Sequence, residues 1–370
     1  MSVTSTVAEG WRGEPVTLSE VDRSLERQYR DQRRSGEPGL VRTRVATLVA
    51  VTTDDESARR ALEVVARMTG RNPSRCIVLI VAPPAEGRAD GVRAWAKVHR
   101  REGRGASGLR DEVVVEAAVP PGHLASVVLP LLLPDIPVFT WWKGTVPLDA
   151  PVGRELVAVT NRLIVDSSTF IDPVADLAAL TGAARSLPVL SDAVWGRLTP
   201  WRALLAASFD TLPGGTHPDS IADVRVAAVT PTAGLLLTGW LTTRLGWEPA
   251  SIEPGGSPGT ASTRWRKPNG GEATIDVRPA AGSSVLASLK VEASGGHGPV
   301  TIRLEARGPL LIASQTSGQG LGQTRVGHCA STEAEALAAE LEVFGHDRVY
   351  EDALAGTQPL TDAMKSGVAL

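Results

Sequence analysis

Few residues in this 370-residue chain stand at spacings that catalysis would use. The six histidines are His99, His123, His217, His297, His328 and His346, and none forms a metal-ligand pair such as two histidines one helical turn apart. There is no Gly-rich phosphate loop closing on Lys-Ser/Thr and no Gly-x-Gly-x-x-Gly fingerprint after a strand. A Gly-x-Ser-x-Gly elbow, which would present a nucleophilic serine, is also missing. Acids and bases can still converge from distant positions, so the lack of a motif argues against an enzyme without excluding one.

Three local features could carry chemistry. The run Ser317-Gly-Gln-Gly-Leu-Gly322 could wrap an anion with the backbone amides of Gly318, Gly320 and Gly322, or be a plain loop between strands. Asp166-Ser167-Ser168 follows a strand-like run, and ligands of open parallel sheets collect at strand ends. Asp and Ser at such a place also form turns with no ligand. Residues 88–104 hold six Lys/Arg against two acids, which reads either as solvated surface or as a phosphate or acidic-partner contact. Cys76 opens a buried strand and reads as a small core residue. Cys329 follows His328 in a turn, where a neighbouring imidazole could lower a thiol pKa.

Tryptophan is the more informative signal, because nine of only fifteen aromatic residues are Trp. Trp141-Trp142 closes a strand, and neighbours on a strand point to opposite faces. One indole is therefore expected near the surface or in a domain interface. Trp195 and Trp201 bracket Gly-Arg-Leu-Thr-Pro, and Trp and Arg dominate protein interfaces. Trp141, Trp142, Arg197, Trp201 and Arg202 are the expected partner contacts. Packing of these indoles within the chain is the competing reading.

The elements that must position these groups follow from periodicity. Thr17-Leu-Ser-Glu20 has the form of a capping box, and Leu18, Val21, Leu25 and Tyr29 share one helical face. This helix either packs on its own domain or serves as a docking arm. Continuous apolar strands are expected at 44–52, 76–82, 112–119, 136–141 and 162–166, with helices at 54–70 and 123–133. An antiparallel edge is expected around 92–118. Together these predict an α/β domain whose mainly parallel sheet is covered by helices. A helical connector is expected at 190–210. Beyond it come a strand at 224–230, a helix at 232–246 and a Gly/Pro/Ser-rich loop at 250–261. Alternating strands at 263–267, 273–278, 285–293 and 300–307 predict a C-terminal α+β domain with a mainly antiparallel sheet. A fifth strand at 310–315 and an amphipathic helix at 332–344 close this domain. The expected division is a flexible N-terminus and helix (1–40), the α/β domain (41–185), the connector (186–220), the α+β domain (221–355) and a flexible tail (356–370).

Composition narrows the function classes. A net charge of −3 draws the protein neither to nucleic acid nor to a membrane surface. The longest apolar run, Val127–Leu133, is interrupted by Pro130 and is far too short to span a bilayer. Two distant cysteines fit a reducing, cytoplasmic setting.

Several segments in order resemble one family. They are His123-Leu-Ala-Ser-Val-Val-Leu-Pro-Leu-Leu-Leu-Pro-Asp-Ile-Pro-Val-Phe-Thr-Trp-Trp142, Arg162-Leu-Ile-Val-Asp-Ser-Ser168, Trp195-Gly-Arg-Leu-Thr-Pro-Trp-Arg202 and Asp347-Arg-Val-Tyr-Glu-Asp-Ala-Leu354, with a weaker match at Arg71–Leu79. Over residues 45–355 the chain resembles the glucose-6-phosphate dehydrogenase assembly protein family, OpcA. The resemblance implies a non-catalytic factor without cofactor, which binds that dehydrogenase and favours its active oligomer in the oxidative pentose phosphate pathway. It also implies thiol redox control in cyanobacterial members, which is not carried over because 108–116 holds no cysteine. The residues leave two other readings open. One is a sugar-phosphate enzyme of lactonase or isomerase type, and the other is a metabolite-binding sensor.

Overall fold

The computed structural model describes residues 11–34, 41–42, 46–68, 75–81, 91–101, 108–118, 123–210, 217–295, 298–317, 322–329, 332–342 and 345–366. The elements run in the order β1 (Glu14–Val16), α1 (Val21–Arg34), β2 (Val41–Arg42), β3 (Thr47–Thr52), α2 (Asp55–Arg67), β4 (Arg75–Val81), β5 (Gly91–Arg101), β6 (Gly108–Ala118), α3 (Leu124–Val128), β7 (Val138–Trp142), α4 (Pro151–Ala158) and β8 (Arg162–Val165). There follow α5 (Pro173–Ala183), β9 (Val189–Asp192), α6 (Ala193–Phe209), β10 (Ile221–Ala228), α7 (Pro231–Leu245) and β11 (Glu248–Pro254). The chain ends with β12 (Ala261–Arg266), β13 (Glu272–Pro279), β14 (Leu286–Gly295), β15 (Gly298–Arg307), β16 (Leu310–Ser317), β17 (Gln323–His328), α8 (Glu333–Glu342), α9 (Arg348–Gly356) and α10 (Gln358–Ser366).

Contacts divide the chain into two compact units. The first holds residues 1–165, 187–190 and 333–344, and the second holds 166–186, 191–332 and 345–370. The division falls at Val165/Asp166 rather than in the connector expected at 186–220. Helix α6 lies wholly in the second unit, and α8, expected in the C-terminal domain, belongs to the first.

The first unit is built on a sheet of order β1-β5-β6-β4-β3-β7-β8-β9, with β2 also paired to β6. Its centre is parallel: β3 pairs with β4 and β7, β4 with β6, and β7 with β8. The expected antiparallel edge is present as β5–β6, and β1 extends it. All six residues of β3 are buried, as an apolar strand covered on both faces requires. On one face Leu48, Ala50, Val78, Phe139 and Trp141 pack with Ala61, Leu62 and Val65 of α2 and Leu337 and Leu341 of α8. Asp54 caps α2 by accepting the Ser57 amide at 2.8 Å.

Helix α1 is fastened to this sheet. Gln28 accepts the Val98 amide at 2.8 Å, and the Tyr29 hydroxyl donates to Asp111 at 2.6 Å. Asp111 in turn accepts from Arg75 Nε at 3.0 Å and Nη2 at 2.9 Å, and the same Nη2 donates to Asp22 of α1 at 2.6 Å. Arg75 and Asp111 are sealed from solvent. The apolar stripe of α1 therefore serves its own domain.

The second unit has a sheet of order β11-β12-β13-β10-β14-β15-β16-β17, antiparallel except for β10–β13. Its buried face carries Val224, Val226, Ile275, Val277, Leu289 and Ile302. Strand β11 forms where the Gly/Pro/Ser-rich loop was expected. It is an edge strand, and an edge accepts Pro249 and Pro254 because half of its amides need no partner. The tail expected to be flexible forms α10, which buries Leu360, Thr361 and Ala363. The mainly parallel α/β sheet followed by a mainly antiparallel α+β sheet is the fold class that the periodicity predicts.

Candidate functional site

The groups with chemical potential gather in the second unit, at the turn that follows β8. Asp166 starts the turn, and its Oδ1 accepts from the Ser168 amide at 3.1 Å, from the Ser168 hydroxyl, and from Arg197 Nη2 at 2.6 Å. Arg197 reaches it from the second turn of α6, where its Nε also donates to the Ala193 carbonyl at 3.2 Å. Asp192 caps α6 through the Val194 amide at 2.9 Å and accepts the Ser167 amide at 3.1 Å. The Ser167 hydroxyl meets the Thr232 hydroxyl, in the first turn of α7, at 3.0 Å. One carboxylate thus ties the Asp166–Ser168 turn to the start of α6, and one serine ties it to the start of α7.

Burial pushes the Asp192 carboxyl up to about 7, with Asp166 nearby acting in the same direction. Hydrogen bonds from Ser167 and Val194 oppose this shift without cancelling it. Asp192 Oδ2 is buried without a hydrogen-bond partner, which leaves the charged form poorly solvated. Asp192 is sealed at 0% exposure, so it steadies the turn and does not reach solvent.

A cavity of about 380 Å³ opens beside this turn, lined by Ser168, Arg197, Thr230, Ser283, Ser284 and Cys329 among others. Its lining combines hydroxyls and one guanidinium held against Asp166 with the apolar side chains of Val229 and Val285 and the Cys329 thiol. Such a lining can hydrogen-bond a small polar molecule. Among the described residues no group of three or more His, Cys, Asp or Glu is placed to hold a metal ion.

A second cluster lies along α6. The Arg202 guanidinium stacks 3.3 Å from the Trp195 ring centroid and donates to Thr199 Oγ1 at 2.9 Å. Trp195 Nε1 donates to Asp347 at 2.8 Å, and the indole packs against Tyr350 of α9 with centroids 5.6 Å apart. Burial pulls the Arg202 guanidinium down to about 10, with Asp347 opposing, so it stays charged at neutral pH. The segments 195–202 and 347–354 therefore meet as a packed stack with an ion at its edge.

The expected exposure of the indoles is overturned. Trp141 is 1% exposed, Trp142 6% and Trp201 0%. Strand β7 lies inside the parallel sheet between β3 and β8, where both faces are covered, so opposite-pointing neighbours are both buried. Lys143, the next residue, sits 4.8 Å from the Trp141 ring centroid and pairs with Glu333 of α8 at 2.6 Å. Arg197 keeps a side chain 20% exposed. Gly318 and Gly320 lie outside the described residues, and Gly322 is exposed just before β17. The basic run is largely strand β5, where Trp95 meets Arg12 at 4.4 Å and Arg93 pairs with Glu116 at 2.5 Å, while 102–104 and 88–90 lie outside the described residues. Both cysteines are buried, and burial pushes the Cys76 thiol up to about 12. Cys329, which follows His328, donates to the Leu310 carbonyl at 3.4 Å. The Arg75–Asp111–Tyr29 network was not visible beforehand. Its sequence signal is weak: Arg75 opens an apolar strand, and Asp111 stands in the charged run Arg110-Asp-Glu112 at the start of β6.

Among the described residues no helix is long and apolar enough to cross a membrane. Residues 65–182 match the family described as glucose-6-phosphate dehydrogenase subunit N-terminal domain, and residues 188–354 match its C-terminal domain. An OpcA protein of Synechococcus elongatus, whose name places it in the OxPP cycle, is 27% identical over 63% of this chain and 55% of its own length. A like-named protein of Nostoc punctiforme is 29% identical over 50% of this chain and 40% of its own. The chain thus spans about half the length, or less, of the curated relatives it matches. In fold it is similar to a 3-ketoreductase from Actinomadura kijaniata, with a TM-score of 0.50 at 12% identity, covering 88% of this chain and 98% of that one. With both domain families matched in order across most of its length, the chain belongs to the OpcA family of glucose-6-phosphate dehydrogenase subunit proteins.

Proposed function

We propose that this chain is a non-catalytic assembly and activation factor, which binds glucose-6-phosphate dehydrogenase and favours its active oligomer in the oxidative pentose phosphate pathway. The observation that carries this reading is the ordered match of both domains to families described as subunits of that dehydrogenase. The relatives' names place them in the same pathway. The mechanism is linkage: a protein that binds the oligomer more tightly than its parts shifts the equilibrium toward the oligomer. A tenfold preference supplies about 1.4 kcal/mol.

Of the residues first expected to touch the partner, Arg197 fits that role best. It is partly exposed, held rigid by Asp166, and positioned by a buried cap. A guanidinium so fixed loses little entropy on binding. The test is co-purification with the host dehydrogenase, followed by mass and activity with and without this chain. No association, or association with unchanged activity and oligomeric state, would sink the reading.

A further inference from the structure

The sheet of the second unit presents one side outward. Along β10, β13, β14 and β15 the outward side chains are exposed or half-buried, whereas their neighbours along each strand are buried. Register sets Arg225 opposite Lys290, and Lys290 opposite Arg303, in a row across three adjacent strands. In the neighbouring row Asp223 stands opposite Glu292. Like charges directly opposite each other in a sheet are unfavourable. Ion pairs along the strands offset this in part: Arg225 with Asp223 at 2.9 Å, Lys290 with Glu292, and Arg303 with Glu305 at 3.4 Å. Such partly exposed pairs contribute little in water. The result is a patterned face: the cation row Arg225, Lys290 and Arg303, with Asp276 opposite Arg225 at its end, runs beside the acids Asp223 and Glu292, and a groove of about 430 Å³ follows the cation row.

This stripe is complementary to itself. Consider a two-fold axis lying in the plane of the face, parallel to the rows and midway between them. Rotation about it carries a second copy's Asp223 and Glu292 over the first copy's Arg225 and Lys290, and the reverse, while Arg303 meets Thr301. That is the isologous relation of a two-fold dimer, and it leaves the two sets of strands aligned as packed sheets require. Eight strands about 4.8 Å apart and about eight residues long present roughly 900 Å². A stable interface needs about 800 Å² from each partner. The face also has an apolar margin. Leu310 and Val326 are 42% and 62% exposed, two of four large hydrophobic residues exposed among the described residues. Register with Ile312 puts Val326 on the outward side, since Leu311 and Ala313 point inward.

We propose that this striped face is the contact between two copies of the chain. The proposal stands apart from the dehydrogenase reading and does not depend on it. The test is the mass in solution of the full chain, by light scattering across a wide concentration range at low and high salt. The expected mass at low salt is twice the 38.8 kDa of the chain. Added salt should weaken the dimer at least tenfold in Kd, because screening acts on exposed charge rows. Arg225→Glu with Lys290→Glu should give a monomer, as should Asp223→Lys with Glu292→Lys. An equimolar mixture of these two variants should recover the doubled mass. Val326→Arg, at an exposed position that cannot disturb the core, should also weaken the dimer more than tenfold.

A wild-type chain that stays monomeric at low salt overturns the proposal. So does a dimer that survives these substitutions, or variants that fail to pair when mixed. If the chain is monomeric and the same substitutions abolish co-purification with the dehydrogenase, the face belongs to that enzyme. The proposal then fails while the assembly reading stands. If the chain dimerises through this face and never engages the dehydrogenase, the proposal stands and the assembly reading fails.

Discussion

Asp192 shows how one side chain can serve structure at a cost that depends on pH. Its folded value of about 7 lies well above the ordinary carboxylate value of 3.8. Between these values the folded chain keeps a proton that the unfolded chain releases. Its contribution to stability is therefore full at acid pH and falls as pH rises through this window, by up to a few kcal/mol. Asp192→Asn keeps the capping oxygen and removes the titration. Urea denaturation should show the wild type losing stability relative to this variant as pH rises from about 4 to about 7. A constant difference over that range would show that Asp192 is ionised in the fold. Arg75 and Asp111 form a buried ion pair. Asp111→Ala should cost about 3–5 kcal/mol by leaving a buried guanidinium with only the exposed carboxylate of Asp22. Trp201→Ala should cost about 3–5 kcal/mol in stability. Arg197→Ala should lower the melting temperature as well, because it leaves the buried Asp166 carboxylate without its guanidinium. Arg197→Lys, which keeps a cation there, is the cleaner variant and should weaken dehydrogenase binding about tenfold while holding most of the stability. The contrast between Trp201, a core residue, and Arg197 tests whether Arg197 is a contact on the same helix.

Elements meet here through small residues as much as through large ones. Helices α7 and α9 approach so closely that a Cβ at Gly239 would lie 2.2 Å from the Ala353 carbonyl oxygen. A Cβ at Gly356 would lie 2.6 Å from the Gly239 carbonyl oxygen. Neither glycine is required by its own backbone angles, so the demand comes from the neighbouring helix. Gly239→Ala should therefore destabilise the second unit by about 1–3 kcal/mol or more, although alanine favours an isolated helix. Thermal unfolding of this variant measures it, and an unchanged or raised melting temperature would mean that the helices separate freely. Strands at the margins follow another rule. β1, β11 and β17 are short or poorly patterned edge strands, and their burial does not alternate as cleanly as that of β12. Periodicity finds strands with a buried face, and an edge strand is recruited by hydrogen bonds to its neighbour. That is why the interior strands were legible and these were not.

At the scale of the molecule, apolar runs and alternation determined the two kinds of sheet, since a strand buried on both faces and one buried on one face differ in composition. The ordered segments at 123–142, 162–168, 195–202 and 347–354 determined the family, and the two matched domain families agree with that assignment. Added to the host dehydrogenase, the intact chain should raise both its activity and the mass of its complex, which activity assays with light scattering measure directly. Tertiary structure alone decided which face of each strand and helix meets solvent. Trp141 and Trp142 have the same identity in a surface strand as in a central one, and only the positions of β3, β8 and the covering helices bury them. The same holds for the return of α8 to the first core and for the row of Arg225, Lys290 and Arg303. These three cations are distant in sequence, and the register of paired strands is a long-range property that no local pattern encodes.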